Sequence, residues 1–255
     1  MATVRKPAKP AVEYPSGDGK PLAETPVHRD NLLFTIEMLR TWFADEPDVY
    51  VSGNMFVYYV EGNPRKHVAP DVFAVRGVAR RDRDYYLVWQ EGKAPQFIVE
   101  MTSRSTRRED MVGKFRLYQD VLKVSEYFLF DPRAEYLDPP LQGYRLHRGR
   151  YGSIRPVKGR LPSKVIGLHL EANGPELRLY DLATGQWILT PREAFEQAAA
   201  GLRQTQEVLR QTEAGLRQTE AGLRREAVAR QQAEAEVERL RGELEAMRRQ
   251  LPRQP

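Results

Sequence analysis

The sequence predicts an α+β (mixed α/β) domain with a central mixed sheet flanked by helices, followed by a long C-terminal helix. Three observations support this prediction. An amphipathic helix comes first, short β-rich runs separated by Gly, Pro and charged clusters follow, and all aromatic residues lie at or before Phe195. The last sixty residues therefore lack the material for an ordinary core, and the globular domain is predicted to end near Thr190.

Composition and charge exclude several classes of protein. The 255 residues include no Cys, which excludes disulfide scaffolds, Cys-ligated metal sites and thiol catalysis. No run approaches the roughly 20 apolar residues of a membrane-spanning helix, and no signal peptide is apparent, so we expect a cytoplasmic protein. From Glu193 onward 11 Arg balance 11 acidic residues, so the formal charge of +5 belongs to the preceding part. A mildly basic domain suits a polyanionic partner.

The chain divides into three predicted regions. Residues 1–26 contain three Lys and five Pro among few apolar residues, which predicts a flexible arm. Residues 27–190 form the predicted globular domain, and residues 191–255 form the predicted coiled coil. The boundary rests on Thr190 and Glu193, which are spaced as a capping box around Pro191 at the first helical position.

The elements of the domain follow from periodicity. Leu32, Ile36, Leu39 and Phe43 form one stripe of a helix that is predicted to end at Pro47. A second helix is predicted over 107–122. Strands are predicted at 50–52, 55–60, 72–75, 85–89, 97–101 and 127–130, with hairpins of 144–146 with 151–154 and of 177–180 with 187–189.

The tail repeats every seven residues. Heptad position a is occupied by Leu202, Leu209, Leu216, Leu223, Arg230, Val237, Leu244 and Leu251. Position d is occupied by Thr205, Thr212, Thr219, Glu226, Ala233, Leu240 and Met247. The pattern favours a weak parallel or antiparallel coiled coil, and hence a homo-oligomer, over a single solvated helix. Association is predicted through the C-terminal half, where both positions are apolar.

Two carboxylates are candidate site residues. Asp71 opens the strand at 72–75 and Glu100 closes the strand at 97–99, and the 29 residues between them allow the two strands to pair. Neighbouring carboxylates repel each other, and a divalent cation between them relieves that repulsion. The alternative is a pair of unrelated surface acids at strand ends.

Lys114 is the third candidate. At 100° per residue it falls within the apolar stripe of the second helix, beside Met111, Phe115 and Tyr118. Such a lysine either extends its ammonium past its aliphatic stem to water or points inward, toward the strand ends that carry the two carboxylates.

Several ordered motifs resemble the Uma-two family of restriction-endonuclease-like proteins, within the PD-(D/E)XK nuclease superfamily. The resemblance covers roughly residues 32–189 and rests on Ala69-Pro70-Asp71-Val72, Phe97-Ile98-Val99-Glu100-Met101-Thr102-Ser103, Ser105-Thr106-Arg107-Arg108-Glu109-Asp110, Lys114, Tyr118 and Glu126-Tyr127-Phe128-Leu129-Phe130-Asp131-Pro132. It implies a restriction-endonuclease-like fold. It also implies a Mg²⁺ or Mn²⁺ ion held by Asp71, Glu100 and the backbone carbonyl of Met101.

One position departs from the superfamily pattern. The lysine expected two residues after the second acid is replaced by Thr102. The resemblance accommodates this change if the catalytic lysine has moved to the following helix, where Lys114 stands. The catalytic set implied by the resemblance is therefore Asp71, Glu100 and Lys114.

The sequence thus predicts a metal-dependent DNA endonuclease. Two alternatives remain open, namely a nucleic-acid-binding protein that does not cleave, and an interaction protein whose coiled coil is the main functional element. Two groups of arginines could contact phosphates or form a solvated face: Arg76, Arg80, Arg81 and Arg83 in one loop, and Arg104, Arg107 and Arg108 near the second helix. The four histidines show no ligand spacing, so a His-based zinc site is not expected.

Overall fold

The structure is a computed structural model that describes residues 12–17 and 25–250. It divides into two compact units, the first ending at Glu193 and the second beginning at Ala194. Most of the predicted N-terminal arm lies outside the described residues. The described segment 12–17 contacts the domain, because the Tyr14 ring packs on Tyr58 and Trp89, and the Pro15 carbonyl accepts the Tyr58 hydroxyl hydrogen at 2.5 Å.

The first helix, α1, spans Pro26–Trp42. It begins where Thr25 Oγ1 accepts the His28 N–H at 3.4 Å and Pro26 occupies the first turn. Leu32, Ile36 and Leu39 are buried, as the predicted stripe requires. The helix starts before that stripe because its first turn is set by the cap.

Thirteen strands are present among the described residues. They are β1 Val49–Ser52, β2 Val57–Tyr58, β3 His67–Val68, β4 Val72–Arg76, β5 Tyr86–Leu87, β6 Phe97–Met101, β7 Glu126–Phe130, β8 Leu141–His147, β9 Arg150–Ser153, β10 Leu161–Pro162, β11 His169–Asn173, β12 Glu176–Asp181 and β13 Gln186–Trp187. Six of them form the main sheet, in the order β1-β4-β6-β7-β8-β9. Two smaller sheets have the orders β10-β11-β12-β13 and β3-β2-β5.

The main sheet is mixed, as predicted. β6 and β7 run parallel, while its other neighbouring strands are antiparallel. A parallel pair needs a crossover, and a helical stretch at 107–121, which we call the site helix, connects β6 to β7. The predicted α+β class with a mixed sheet and a long C-terminal helix is therefore confirmed.

Strand alternation sets which side of the sheet each residue faces. In β6, Phe97, Val99 and Met101 belong to the core shared with α1, whereas Ile98 belongs to the core that contains Tyr118 of the site helix. Because side chains alternate along a strand, Glu100 faces the same side as Ile98. The sheet therefore directs this carboxylate toward the site helix.

The site helix differs from a regular α-helix. Residues Glu109–Lys114 and Leu117–Val121 are π-helical, and Leu122 N–H donates to the carbonyl of Leu117, five residues earlier, at 3.0 Å. The predicted helix is present, but its hydrogen-bond pattern was not foreseen. Such wide turns are rare and occur frequently at functional sites.

Several predicted strands differ from those observed. The run at 55–60 contributes only β2, and the run at 85–89 contributes only β5 before the short helix α2, Val88–Glu91. Three strands, β3, β10 and β11, were not predicted. The predicted strand at 85–89 was wrong beyond Leu87 because Gly92 ends a helical turn there in the left-handed conformation, with φ of 70°.

The last helix, α3, spans Pro191–Gln250. The capping box is as predicted, since Thr190 Oγ1 accepts the Glu193 N–H at 3.2 Å and Glu193 Oε2 accepts the Thr190 N–H at 2.8 Å. The predicted pairing of this helix stays a prediction. No helix among the described residues combines the length and the apolar character that crossing a bilayer requires.

Candidate active site

Asp71 and Glu100 lie close together. The antiparallel register of β4 and β6 pairs Val72 with Val99, which brings the start of one strand beside the end of the other. Asp71 Oδ2 accepts the Met101 N–H at 2.7 Å, and the Asp71 N–H lies 3.4 Å from Glu100 Oε2. The two acids are therefore neighbours, and the alternative of unrelated surface acids is wrong.

Glu100 is buried, and both of its carboxylate oxygens accept hydrogen bonds. Its Oε1 accepts the hydroxyl hydrogen of Tyr118 at 2.6 Å, and its Oε2 accepts from Lys114 Nζ at 2.9 Å. The Lys114 side chain is only 15% exposed. Its ammonium thus points inward to the carboxylate, so the alternative of a solvent-directed lysine does not hold.

Asp110 joins the same cluster. Its Oδ1 lies 3.2 Å from Lys114 Nζ, and its Oδ2 accepts the hydroxyl hydrogen of Thr102 at 2.8 Å. The Thr102 hydroxyl also contacts the Tyr136 hydroxyl. Thr102 is therefore connected through Asp110 to Lys114.

The π-helical geometry explains why one helix supplies three groups to this cluster. Asp110, Lys114 and Tyr118 are spaced four residues apart. Because a π-helix has more residues per turn than an α-helix, residues four apart drift less around its axis over these turns. The site helix therefore holds a carboxylate, an ammonium and a phenol on the side that faces Glu100 and Thr102.

Burial and charge shift the pKa values of the central pair. Burial raises the pKa of Glu100 from 4.5 to about 8, with Asp71 and Asp110 acting in the same direction and Lys114 opposing them. For Lys114, burial by itself lowers the pKa, but the charges of Glu100, Asp110 and Asp71 outweigh it and raise the pKa above its usual value. The ammonium therefore keeps its proton, and three carboxyl groups share one fixed positive charge.

His28 is a site residue that sequence reasoning missed. Its Nε2 lies 3.5 Å from Asp71 Oδ2, and its side chain is 17% exposed. It precedes the apolar stripe of α1 and is 43 residues from Asp71, so no local spacing linked the two. The capping signal at Thr25 could have placed His28 in the first turn of α1, but not beside the carboxylate.

The arginines of the predicted basic loop serve the fold. Arg83 Nε donates to Glu91 at 2.8 Å, Arg76 Nη1 donates to Glu46 at 2.7 Å, and Arg80 donates to the backbone carbonyl of Glu46 at 3.1 Å. Arg83 is only 4% exposed and is used within the fold, whereas Arg81, also paired with Glu91, is 64% exposed, so phosphate contact by this group stays a prediction.

The second arginine group keeps a surface position. Arg104, Arg107 and Arg108 are exposed at the start of the site helix. Arg107 lies over the Tyr136 ring, 5.4 Å from its centroid, and Arg104 Nε is 3.8 Å from Glu135. These side chains remain candidates for contact with a phosphate backbone.

The donor chemistry of the cluster fits a hard divalent cation. Asp71 and Glu100 supply carboxylate oxygens, the Met101 peptide is adjacent to both, and the cluster carries more carboxyl groups than ammonium groups. Within residues 12–17 and 25–250, no three His, Cys, Asp or Glu side chains are grouped as a metal site. An ion here would therefore need a backbone oxygen or water in addition to the two carboxylates.

Comparison with known proteins gives the family. The chain belongs to the Uma2 family, described as "Putative restriction endonuclease", which matches residues 3–197. A solved structure similar to this chain is a "putative nuclease belonging to DUF820" from Anabaena variabilis ATCC 29413. It has 14% identity and a TM-score of 0.44, and the match covers 61% of this chain and 83% of that one. No curated protein matches the chain.

Proposed function

We propose that this protein is a divalent-metal-dependent endonuclease that hydrolyses phosphodiester bonds of DNA. The observation that carries the proposal is the convergence of Asp71, Glu100 and Lys114, with the lysine ammonium 2.9 Å from Glu100 Oε2. Membership of the Uma2 family, described as "Putative restriction endonuclease", supports the reaction class. The geometry alone would also suit a protein that binds nucleic acid without cleaving it, which the experiment below distinguishes.

The proposed metal ligands are the carboxylates of Asp71 and Glu100 and the carbonyl of Met101. A Mg²⁺ or Mn²⁺ ion would supply Lewis-acid activation of water and charge neutralisation at the phosphate. Asp71 is pre-positioned for this role, because the Met101 N–H holds its Oδ2 at 2.7 Å. Glu100 has to be ionised to act as a ligand, and its raised pKa means that metal binding competes with a proton.

Lys114 acts as a charged hydrogen-bond donor in this proposal. Its raised pKa keeps Nζ protonated, so the residue is suited to orienting a water molecule or neutralising a phosphate oxygen and poorly suited to removing a proton. Asp110 and Tyr118 serve as positioning residues. Asp110 is a second carboxylate in contact with the ammonium, and Tyr118 donates to the other oxygen of Glu100.

DNA is the proposed substrate because of charge as well as family. The part of the chain before Glu193 carries the whole formal charge of +5, and Arg104, Arg107 and Arg108 are exposed at the start of the helix that carries Lys114. Basic side chains beside a metal-binding carboxylate pair suit a phosphate backbone.

The test is incubation of the purified protein with supercoiled plasmid and with single-stranded DNA in Mg²⁺, Mn²⁺ or EDTA. We expect cleavage with metal and none with EDTA, and we expect Asp71→Asn to abolish cleavage and weaken Mn²⁺ binding in calorimetry. Asp45→Asn, a change at an exposed acid, is the matched control. Wild-type cleavage by Asp71→Asn would contradict the site, whereas DNA retention without any cleavage would favour the non-cleaving alternative.

A further inference from the structure

Tyr136 extends from the buried site to the surface of the protein. Its hydroxyl contacts the hydroxyl of Thr102, a residue that is only 1% exposed. Its half-buried ring lies under the guanidinium of Arg107, whose Cζ is 5.4 Å from the ring centroid, and Arg107 is exposed. One side chain therefore contacts both the buried hydrogen-bond network of the site and a cation at the surface.

The backbone around Tyr136 is held by contacts that do not involve Arg107. Asp131 Oδ2 accepts the N–H of Tyr136 at 2.9 Å and the N–H of Leu137 at 3.1 Å. Asp131 and Leu137 are both buried. Because these contacts place the ring before any ligand arrives, the Arg107 side chain rests on a preformed aromatic surface.

The hydrogen bonds from Tyr136 to Lys114 have a defined direction. Asp110 accepts the hydroxyl hydrogen of Thr102 at 2.8 Å, and its other oxygen lies 3.2 Å from Lys114 Nζ. Since the Thr102 hydroxyl has one hydrogen and donates it to Asp110, the Tyr136 hydroxyl is the donor to Thr102. Burial raises the pKa of Tyr136 to about 12, so this hydrogen is retained at neutral pH. The ring at the surface is thus connected to the Lys114 ammonium through Thr102 and Asp110.

The guanidinium of Arg107 has donors available for a ligand. In the part of the chain that the structure describes, its contact is the Tyr136 ring, with no hydrogen bond or ion pair to an acceptor. Arg81 and Arg83, by contrast, both donate to Glu91. A cation–π contact restrains an arginine without using its N–H groups as hydrogen-bond donors to a protein oxygen. A guanidinium held in this way is suited to bidentate contact with a phosphate.

The surface around Arg107 is positive. The segments 104–109 and 133–135 expose four arginines, Arg104, Arg107, Arg108 and Arg133, and two acids, Glu109 and Glu135. Glu135 lies between Arg104 and Arg133, with nitrogen–oxygen distances of 3.8 and 3.6 Å. The arginines outnumber the acids, so this surface favours a polyanion over a neutral or cationic ligand.

We propose that Arg107 binds a phosphate of the DNA backbone and that Tyr136 couples this contact to the placement of Lys114. The identity of the ligand rests on the proposed nuclease function. Tyr136 is a positioning residue in two ways. Its ring restrains Arg107, and its hydroxyl, through Thr102, orients the Asp110 carboxylate that contacts the ammonium. Backbone binding and the alignment of the buried cation therefore depend on one side chain.

DNA affinity is the first test, and it does not require cleavage. In EDTA and on the Asp71→Asn background, fluorescence anisotropy of labelled oligonucleotides should show that Arg107→Ala weakens binding about tenfold. Tyr136→Leu, which removes the ring, should weaken binding about threefold, and Tyr136→Phe, which keeps the ring, should bind DNA more tightly than Tyr136→Leu. Arg116→Ala, the same charge change at an exposed position further along the site helix, is the control.

Equal losses of affinity in Arg107→Ala and Arg116→Ala would overturn the phosphate contact, and so would a parent chain that binds no DNA. The plasmid assay tests the nuclease proposal separately, so a chain that cleaves DNA with no dependence on Arg107 would refute the contact alone.

The Lys114 ammonium provides the second test. In metal-free protein with isotope-labelled lysine, the Nζ resonance that disappears in Lys114→Ala should shift in Tyr136→Phe. Tyr85→Phe is the control, because the described residues show no hydrogen bond from the Tyr85 hydroxyl. In cleavage assays Tyr136→Phe should lower kcat about tenfold with little change in KM, whereas Arg107→Ala should mainly raise KM. An unchanged Lys114 resonance in Tyr136→Phe would overturn the coupling, whatever the cleavage result.

Discussion

Tyr118 donates its hydroxyl hydrogen to Oε1 of Glu100 at 2.6 Å, and both side chains are completely buried. The two residues lie 18 positions apart, on the site helix and on β6. This hydrogen bond fastens the helix to the strand at the point where the carboxylate lies. Its loss should therefore affect the stability of the fold as well as the site.

Tyr118→Phe should lower the free energy of unfolding by about 1.5–3 kcal/mol, because it leaves one oxygen of a buried acid without its donor. Urea unfolding followed by circular dichroism measures this change. Tyr85→Phe is the matched control, since the described residues show ring contacts for Tyr85 but no hydrogen bond from its hydroxyl. Equal losses in the two variants would contradict the interpretation.

Lys114→Ala should reduce cleavage at least about 10²-fold while retaining Mn²⁺ binding, because an ammonium stabilises charge but is not a ligand. It should also lower the stability of the metal-free protein by about 3 kcal/mol or more, since Glu100 and Asp110 lose their shared cation. Added Mn²⁺ should then raise the melting temperature more than in wild type. Lys66→Ala, at an exposed position, is the control.

Cleavage by Lys114→Ala at the wild-type rate would remove this residue from the catalytic set. Calorimetry on the same preparation separates that outcome from a failure to bind metal.

Asp110→Asn should lower the cleavage rate by about 10²-fold with little change in Mn²⁺ affinity, because it loosens the position of Lys114 without removing a proposed ligand. Glu109→Gln is the control, since it is an exposed acid one residue away on the same helix. Parallel plasmid assays and Mn²⁺ titrations measure both quantities. A large loss of Mn²⁺ affinity in Asp110→Asn would show that Asp110 acts on the metal and not on the lysine.

Glu100 should give the folded protein a characteristic dependence on pH. Its pKa is raised by folding from 4.5 to about 8, so the folded state binds more protons than the unfolded state between these values. Stability contributed by this group is therefore fully present below about pH 4.5 and is lost as the pH rises toward about 8. Urea midpoints across this range, compared between wild type and Glu100→Gln, measure the contribution as a difference.

The difference in stability between wild type and Glu100→Gln, wild type minus variant, should fall as the pH rises. A difference that increases with pH would mean that the lysine outweighs burial and holds the pKa of Glu100 low.

Gly53 links the fold to Asp71. A Cβ added at this position would lie 1.9 Å from the Asp71 carbonyl oxygen and 2.8 Å from Ile36 Cδ1, so Gly53→Ala forces the backbone of Asp71 to move. We expect a loss of about 1–3 kcal/mol in unfolding free energy together with weaker Mn²⁺ binding. Gly113→Ala is the contrasting change, because its Cβ meets nothing within 4 Å. It should be neutral or stabilise the site helix by up to ~1 kcal/mol.

The carboxylate pair could be predicted from sequence because both acids stand at the ends of apolar strands, and strand pairing brings such ends together. Lys114 could be predicted because a helical stripe has a period that a sequence displays. His28 and the link from Asp110 to Thr102 could not be predicted, since they depend on contacts between separate elements. The strand β10 has only two residues and is too short to show a periodicity, whereas β11, His169–Asn173, alternates polar and apolar residues and carried a signal that was overlooked.

The partners of the charged side chains were the least predictable feature of the structure. Arg76, Arg80 and Arg83 look like a basic loop in the sequence, yet the fold uses them to bind Glu46, Glu91 and backbone carbonyls. Whether an arginine faces a partner or supports a loop depends on acceptors distant in the chain. Periodicity does not report those acceptors.

The π-helical turns of the site helix leave room for a change in residue count. A π-helical turn accommodates one residue more than an α-helical turn, so deleting a residue such as Val112, which is exposed, could return this stretch to α-helix without removing any side chain of the cluster. Asp110 and Lys114 would then be three residues apart, a spacing that still places both side chains on one face of an α-helix. Alignments of relatives should therefore allow a gap of one residue between these two positions, because chains that differ by such a gap can still assemble the same site.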